Sequence, residues 1–447
     1  METTKIFTFF ISFILILGNT AATSEEKLDR KLHFNTFDKN DYKKIASNIN
    51  AGEVQRKPIV LVPGVLGSRL QAKLNLSYSP GWLCEKIRDW FDIWLNIEEL
   101  TPFYVNCWVY DISMRYDNRT KKVANQEGVK TRILDFGKTE DFEYLDSDHY
   151  APGSPYFTEL VESLIKFGYK RGDDLKGAPY DWRITPSQST GFLQNLTKLI
   201  ENNYYEHFNR KVVLIGHSMG NMFTYYMLRT KPQEWKDKFI DSFISISSPY
   251  IGSVKAVKAI TSGETEGHDF ALPKLKLRTA TRTFSSSYFL LPRPKFWPKD
   301  KLHVVDTLIK NYTVFEYKAL FERIGCKNCY EIWDKYGTEL GDMGPPNVPV
   351  HCVYSSQIPT PELLIYDPDL FPDGTPVLKT GDGDGTVNVF SSSYCLKWKK
   401  SQKQPVYEVY LPGNTHVEIL NNATLHNYIK KVATLNQGAK LDRFDTL

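Results

Sequence analysis

Residues 212–228 read VVLIGHSMGNMFTYYML. Four consecutive apolar residues, Val212–Ile215, are the pattern of a short strand buried on both faces. The stretch from Asn221 has helical character, with Met222, Tyr225, Tyr226 and Leu228 as its apolar positions. Between them stands G-H-S-M-G, a G-x-S-x-G pentapeptide in the strand–turn–helix setting that its chemistry requires. A sharp turn there strains the serine backbone and lifts the Ser218 hydroxyl above the edge of a sheet. Gly216 and Gly220 let strand and helix approach closely.

Other runs build outward from this one. Pro58–Val62 is a second apolar strand, ended by Pro63–Gly64, and Phe243–Ile246, Val350–Tyr354 and Val406–Leu411 are three more. Strands alternating with helical stretches predict an α/β architecture, a mainly parallel sheet wrapped by helices. Two long insertions interrupt the alternation. Residues 81–110 are dense in aromatics (Trp82, Trp90, Phe91, Trp94, Leu95, Phe103, Tyr104 and Trp108), and residues 250–345 show Gly/Ser/Thr-rich stretches and basic clusters without obvious core strands. Within the second, 250–270 is the candidate lid, and such inserts commonly carry selectivity or cover a site. No internal repeat is visible.

Serine is a weak nucleophile and needs a base oriented by an acid. With the order Ser, acid, His, two histidines qualify. His416 lies in a loop directly after the strand VYEVYL, where such sheets present reactive groups. His426 falls in a following polar helix and reads as a surface side chain. His416 is therefore the expected base. The acid comes from Gly381-Asp382-Gly383-Asp384-Gly385-Thr386, where spacing alone does not separate Asp382 from Asp384. A calcium loop counted from Asp382 has Val387 and Ser393 at its sixth and twelfth positions, where Gly and Glu are needed. A dinucleotide fingerprint fails because Thr386 stands where its third Gly belongs. Two backbone donors for a developing oxyanion are expected at Met219, next to the serine, and at Val65, in the Gly-rich loop after the first strand.

The 447 residues carry 56 Lys+Arg against 52 Asp+Glu, a net charge of +4. No basic block of the kind nucleic acid demands is present. With 41% hydrophobic residues there is ample core, and a wholly disordered chain is excluded. The mean hydropathy of −0.38 excludes a polytopic membrane protein. Residues 1–22, with Lys5, the run Ile6–Leu17 and the pair Ala21–Ala22, read as a secretory signal peptide. Residues 24–56 read as a loosely held arm. The mature chain, 23–447, is then expected in a lumen or outside the cell. Five glycosylation sequons (Asn75, Asn118, Asn195, Asn311 and Asn422) and an even six cysteines agree with that compartment. Six cysteines allow 15 pairings; for Cys326 and Cys329, three residues apart, a local bridge is the expectation.

The set of motifs closely resembles the family of lecithin–cholesterol acyltransferase and lysosomal (group XV) phospholipase A2. The stretches that carry it are PIVLVPGVLGSRLQAKL at 58–74, the aromatic insert ending at Cys107, GYKRGDDLKGAPYDWR at 168–183, the serine segment, GDGDGTVN at 381–388 and HVEILNNAT at 416–424. The resemblance runs from about residue 56 to the C-terminus and leans toward the lysosomal branch. It implies an α/β-hydrolase fold with membrane-binding and cap/lid insertions. It implies Ser218 as nucleophile, Asp384 as acid, His416 as base, and Val65 and Met219 as oxyanion donors. Bridges Cys84–Cys107 and Cys352–Cys395 follow from it, whereas Cys326–Cys329 has no counterpart. Val65 departs from the family pattern: lysosomal relatives tend to carry Asp there and the plasma enzyme Cys, and Val65 cannot titrate. The activity implied is calcium-independent cleavage of fatty acyl esters of glycerophospholipids, with transfer to water or a lipid alcohol. No metal or organic cofactor is required. The partners implied are a phospholipid membrane surface, met through Trp82, Trp94 and Leu95, and the alcohol acceptor, for a monomer in the lysosome lumen or secreted. Asp181, Trp182 and Arg183 read as a structural ion pair beside the sheet. Two rivals are sterol esterification and a catalytically silent lipid-binding protein.

Overall fold

A computed structural model describes residues 56–147, 154–265 and 273–434. The expected signal peptide at 1–22, nearly all of the arm at 24–56 and the end of the candidate lid, 266–270, lie outside the described residues. The strands in chain order are β1 (Ile59–Val62), β2 (Leu70–Asn75), β3 (Ile87–Trp94), β4 (Met114–Asp117), β5 (Lys122–Asn125), β6 (Val129–Arg132), β7 (Leu175–Gly177) and β8 (Val212–His217). They continue with β9 (Ile240–Ile246), β10 (His303–Asp306), β11 (Asn311–Thr313), β12 (Val350–Tyr354), β13 (Ile358–Ile365), β14 (Val377–Gly383) and β15 (Val406–Tyr410).

All five expected apolar runs form one six-stranded sheet in the order β15-β12-β9-β8-β1-β7. Every pairing in it is parallel. The sixth strand, β7, was not anticipated; three residues at a sheet edge give too short a pattern to read. The period of two divides the strand residues between two cores. Val60, Val62, Val212, Leu214 and Phe243 join one face, with Met222, Phe223 and Leu228 of the helix Met219–Thr230 packed there. Ile59, Leu61, Val213, Ile215, Ile244 and Ile246 join the other, against the helices Thr158–Lys166 and Ala423–Thr434. Both faces being covered is the reason the strands read as continuous apolar runs rather than alternating ones. This is the α/β-hydrolase architecture.

A second sheet, β11-β10-β13-β14, stands apart from the first. It corrects the reading of 250–345 as an insert without strands: β10 and β11 lie inside that interval, and β13 and β14 beyond it complete the sheet. β10 and β11 are only four and three residues long, and Pro359 and Pro361 interrupt the alternation of β13. The start of the candidate lid is also more ordered than a loop. The helix Val254–Thr261, capped by the Ser253 hydroxyl on Lys255 N–H, buries Val254, Val257 and Ile260. A third sheet, β3-β2-β6, carries the aromatic insert, closed by the Cys84–Cys107 bridge. Cys352–Cys395 and Cys326–Cys329 are also paired.

Arg183 is fully buried and forks onto Asp181 through Nε (2.9 Å) and Nη2 (2.7 Å), while Nη1 donates to the Ile112 carbonyl. With Nη2 also donating to Asn125 Oδ1 at 2.8 Å, the guanidinium ties three segments together beside the sheet. His426 is buried, not a surface side chain; its Nε2–H donates to the Leu420 carbonyl at 2.6 Å, inside the turn that precedes its own helix. The polar neighbours in sequence concealed an inward-facing position.

Leu214 is fully buried in the sheet face that carries the helix Met219–Thr230. Leu214→Ala is expected to lower unfolding free energy by about 2–5 kcal/mol, read as a shifted urea midpoint at unchanged slope.

Candidate active site

Ser218 sits between β8 and the helix Met219–Thr230 with φ 53° and ψ −129°, a backbone that L-residues adopt only under constraint. The neighbours make room for it. A Cβ on Gly220 would lie 2.3 Å from the Pro63 carbonyl oxygen, and one on Gly216 would lie 2.4 Å from Asn221 Oδ1. The turn is pinned from below: Ser218 N–H donates to Ile246 O at 3.0 Å, and Asn221 Nδ2 donates to both Ser218 O (3.1 Å) and Ile246 O (2.8 Å). The serine therefore stands at the C-terminal edge of the sheet, between β8 and β9.

The histidine arrives on the loop after β15. Ser355 Oγ donates to Asn414 O at 2.7 Å and Gly413 N–H donates to Ser356 O at 2.9 Å, so the loop is fastened to the end of β12. His416 Nε2 lies 2.9 Å from Ser218 Oγ. Its Nδ1 lies 2.8 Å from Asp384 Oδ2. Asp384 directly follows β14, so the acid is delivered by the second sheet. The backbone closes the same pair, His416 N–H donating to Asp384 O at 2.8 Å.

Asp384 is fully buried, whereas Asp382 is exposed and accepts from Gln357 N–H. The turn at Gly385, with φ 85°, separates the two carboxylates that spacing left equivalent. Burial alone would raise the Asp384 pKa. The His416 imidazole, with the N–H groups of Val387 (2.7 Å) and Thr386 (3.0 Å) on Oδ1, more than offsets it and holds the carboxyl below its ordinary range. An ionised Asp384 accepts the Nδ1 proton of His416. The Nε2 lone pair then faces the serine hydroxyl, the tautomer a general base needs.

The loop Pro63–Gly67 lies over the serine. A Cβ on Gly64 would come within 2.8 Å of Ser218 Cβ. Val65 follows at once, and its N–H meets no backbone acceptor among the described residues. Met219 is the first residue of its helix, where N–H groups have no intrahelical partner. Both expected donors thus border the serine. Two residues outside the sequence reading also enter the site. His217 Nδ1 is 2.5 Å from Tyr156 Oη, and Tyr156 Oη accepts from Gly64 N–H at 3.0 Å. His217 had a visible signal as the variable residue of G-x-S-x-G, whereas Tyr156 had none.

The three aromatic-insert residues expected to face a membrane are placed differently. Trp82 is 92% exposed. Trp94 is half-buried, its indole N–H donating to Leu66 O at 2.7 Å and its ring packed edge-on to Trp182. Leu95 is half-buried beside it. Among the sequons, Asn75, Asn118, Asn195 and Asn311 are exposed, while Asn422 is half-buried with Nδ2 donating to Asn414 Oδ1. No helix among the described residues is long and apolar enough to cross a membrane.

A parallel sheet with a strained serine at its C-terminal edge, under a histidine paired to a buried carboxylate, defines an enzyme of the α/β-hydrolase class. The chain belongs to the lecithin:cholesterol acyltransferase family, whose profile matches residues 90–335 and 336–423. It is 40% identical over 377 residues to the lysosomal phospholipase A and acyltransferase of Homo sapiens, covering 84% of this chain and 90% of that one. It is 39% identical over 379 residues to the Canis lupus familiaris protein of the same name, covering 85% and 91%. The phosphatidylcholine-sterol acyltransferase of Gallus gallus is 38% identical over 371 residues, covering 82% and 88%.

Asp384→Asn leaves the imidazole without the acceptor that sets its tautomer, and the rate should fall on the order of 10⁴-fold. Asp382→Asn should change the rate little, because that carboxylate holds a loop N–H at the surface. Steady-state rates of the two variants on one soluble ester make the comparison.

Proposed function

We propose that the protein cleaves fatty acyl esters of glycerophospholipids without calcium and passes the acyl group to water or a lipid alcohol. The observation that carries the reading is the unbroken chain from Ser218 Oγ through His416 to buried Asp384, at 2.9 and 2.8 Å. The relatives named for lysosomal phospholipase A and acyltransferase activity support the substrate class.

The chemistry follows from the protons. His416 Nε2 takes the Ser218 hydroxyl proton as Oγ bonds to the ester carbonyl carbon. Negative charge builds on the carbonyl oxygen, facing the N–H groups of Val65 and Met219. The tetrahedral species collapses, the carbon–oxygen bond to the glycerol breaks, and the leaving lysolipid oxygen takes the proton from His416. An acyl ester of Ser218 remains. A second hydroxyl, of water or a lipid alcohol, then gives its proton to His416 Nε2 as its oxygen attacks. Collapse frees the new acid or ester and returns the proton to Ser218 Oγ. Asp384 stays ionised throughout and stabilises the imidazolium.

The acyl chain must leave a lipid layer to reach Ser218. The insert bridged by Cys84–Cys107 offers Trp82, Ile87 and Phe103, at 92, 78 and 66% exposure, as the apolar contact. Large apolar side chains so exposed favour an interface over bulk water. Trp94 belongs to the support beneath that surface. Three disulfides agree with the secretory route, and we place the mature chain in the lysosome lumen or the extracellular fluid, as a monomer. The sterol-acceptor reading draws on the Gallus gallus relative and differs only in the second step.

A serine-directed fluorophosphonate should label Ser218 in the folded protein, and Ser218→Ala should lose both labelling and turnover while still binding vesicles. Wild-type protein that does not label ends the enzyme reading and leaves the lipid-binding one. On phosphatidylcholine vesicles with and without sterol, free fatty acid rather than sterol ester should accumulate. Trp82→Ser should lower the rate on vesicles more than on a soluble ester. Trp94→Ser, which removes a half-buried indole hydrogen-bonded to Leu66 O, should lower both together and shift thermal unfolding.

A further inference from the structure

His217 and Tyr156 take no part in the proton transfers above, yet both are buried against the reacting groups. Their hydrogen bonds have only one consistent direction. His217 Nε2 lies 2.8 Å from the backbone carbonyl oxygen of His416, which can only accept. Nε2 therefore carries the proton. Burial, reinforced by the neighbouring His416 imidazole, pushes the His217 pKa down to about 3, so the ring is neutral and Nδ1 holds a lone pair. Tyr156, whose phenol is kept protonated by burial, donates its O–H to Nδ1 at 2.5 Å. The phenol oxygen keeps a lone pair, and Gly64 N–H donates to it at 3.0 Å. The result runs Gly64 N–H, Tyr156 O–H, His217, His416 carbonyl, with each group donating to the next.

The two ends of that chain are the two halves of the site. Gly64 precedes Val65 in the loop that lies over Ser218, and His416 is the base itself. The contact with Tyr156 is also steric: a Cβ on Gly67 would lie 2.6 Å from the Tyr156 ring, and one on Gly64 would lie 3.0 Å from its oxygen. The glycine loop rests on the phenol. The His217 and His416 rings are 4.8 Å apart, so the relay passes directly beneath the base.

We infer that His217 and Tyr156 are positioning residues for acyl transfer, forming a one-way hydrogen-bond relay that sets the oxyanion loop and the His416 loop in register with each other. The inference rests on the acyl-serine reading. Its physical content is that transition-state stabilisation needs the donors and the base placed together, and loosening one shared brace costs both. A ground-state ester binds mainly through its acyl and alcohol parts, so the loss falls on kcat.

Tyr156→Phe keeps the ring under Gly67 and removes one oxygen. On a soluble short-chain p-nitrophenyl ester kcat should fall roughly 10- to 100-fold with KM nearly unchanged, and the fluorophosphonate labelling rate should fall in parallel. His217→Leu should match it, and the double variant should be no worse than either single one, because a broken chain cannot be broken again. Glutamine at 217 has an amide N–H for the His416 carbonyl and an amide oxygen for Tyr156 O–H, so His217→Gln should recover most of the kcat. A Tyr156→Phe kcat equal to wild type, or His217→Gln no better than His217→Leu while both unfold at the wild-type temperature, overturns the relay. So do additive losses in the double variant. Wild-type protein that neither labels nor turns over sinks the acyl-serine reading itself and is distinguishable from these outcomes.

Discussion

The site depends on one backbone constraint. Ser218 occupies a positive-φ conformation at the junction of β8 and its following helix, and it is held there by the absence of side-chain atoms around it. Gly216, Gly220 and Gly64 each leave a space that a single methyl would fill within 3 Å of a neighbour. Two hydrogen bonds onto the Ile246 carbonyl, from Ser218 N–H and Asn221 Nδ2, close the turn from the β9 side. Strain of this kind persists only where the surroundings over-determine it. Here the surroundings are the parallel sheet itself, whose neighbouring strands end at one level.

The serine's partners come from separate parts of the fold. His416 is carried by the last strand of the main sheet, and Asp384 by the last strand of the second. A backbone bond, His416 N–H to Asp384 O, and a side-chain bond join them. Burying a carboxylate is costly unless its charge is met. Asp384 meets an imidazole and two amide N–H groups, which is why burial leaves it ionised rather than protonated. The relay through Tyr156 and His217 extends the same logic to neutral groups. Each buried polar atom in it has a partner, and the satisfied chain is what makes the placement unique.

The insert closed by Cys84–Cys107 divides its aromatic residues between two duties. Trp108 is buried and donates to Ile93 O, and Trp94 donates to Leu66 O, close to the glycine loop over the serine. Trp82 and Phe103 remain open. A single element thus supports the glycine loop through its inner indoles and leaves its outer aromatic side chains in contact with solvent.

The apolar strands, the G-x-S-x-G turn, the order of serine, acid and histidine, and the choice of His416 were legible in the residues, because each depends on local periodicity or on glycine at fixed offsets. The family resemblance added Asp384 and two bridges. Other features needed the folded chain. Asp382 and Asp384 are two apart with glycine on each side, and only the turn at Gly385 against Thr360 and His416 buries one and exposes the other. Strands β7, β10 and β11 were hidden by lengths of three or four residues, and β13 by its two prolines. Trp82 and Trp94 share a composition and differ in burial, which is set by contacts with Leu66 and Trp182 far along the chain. His426 reads as polar surface and is buried, with its ring turned onto the Leu420 carbonyl of the preceding turn. Tyr156 carries no local mark at all: its place beneath Gly64 and Gly67 is a contact between residues some ninety positions apart, and no pattern of period two or 3.6 reports a contact at that range.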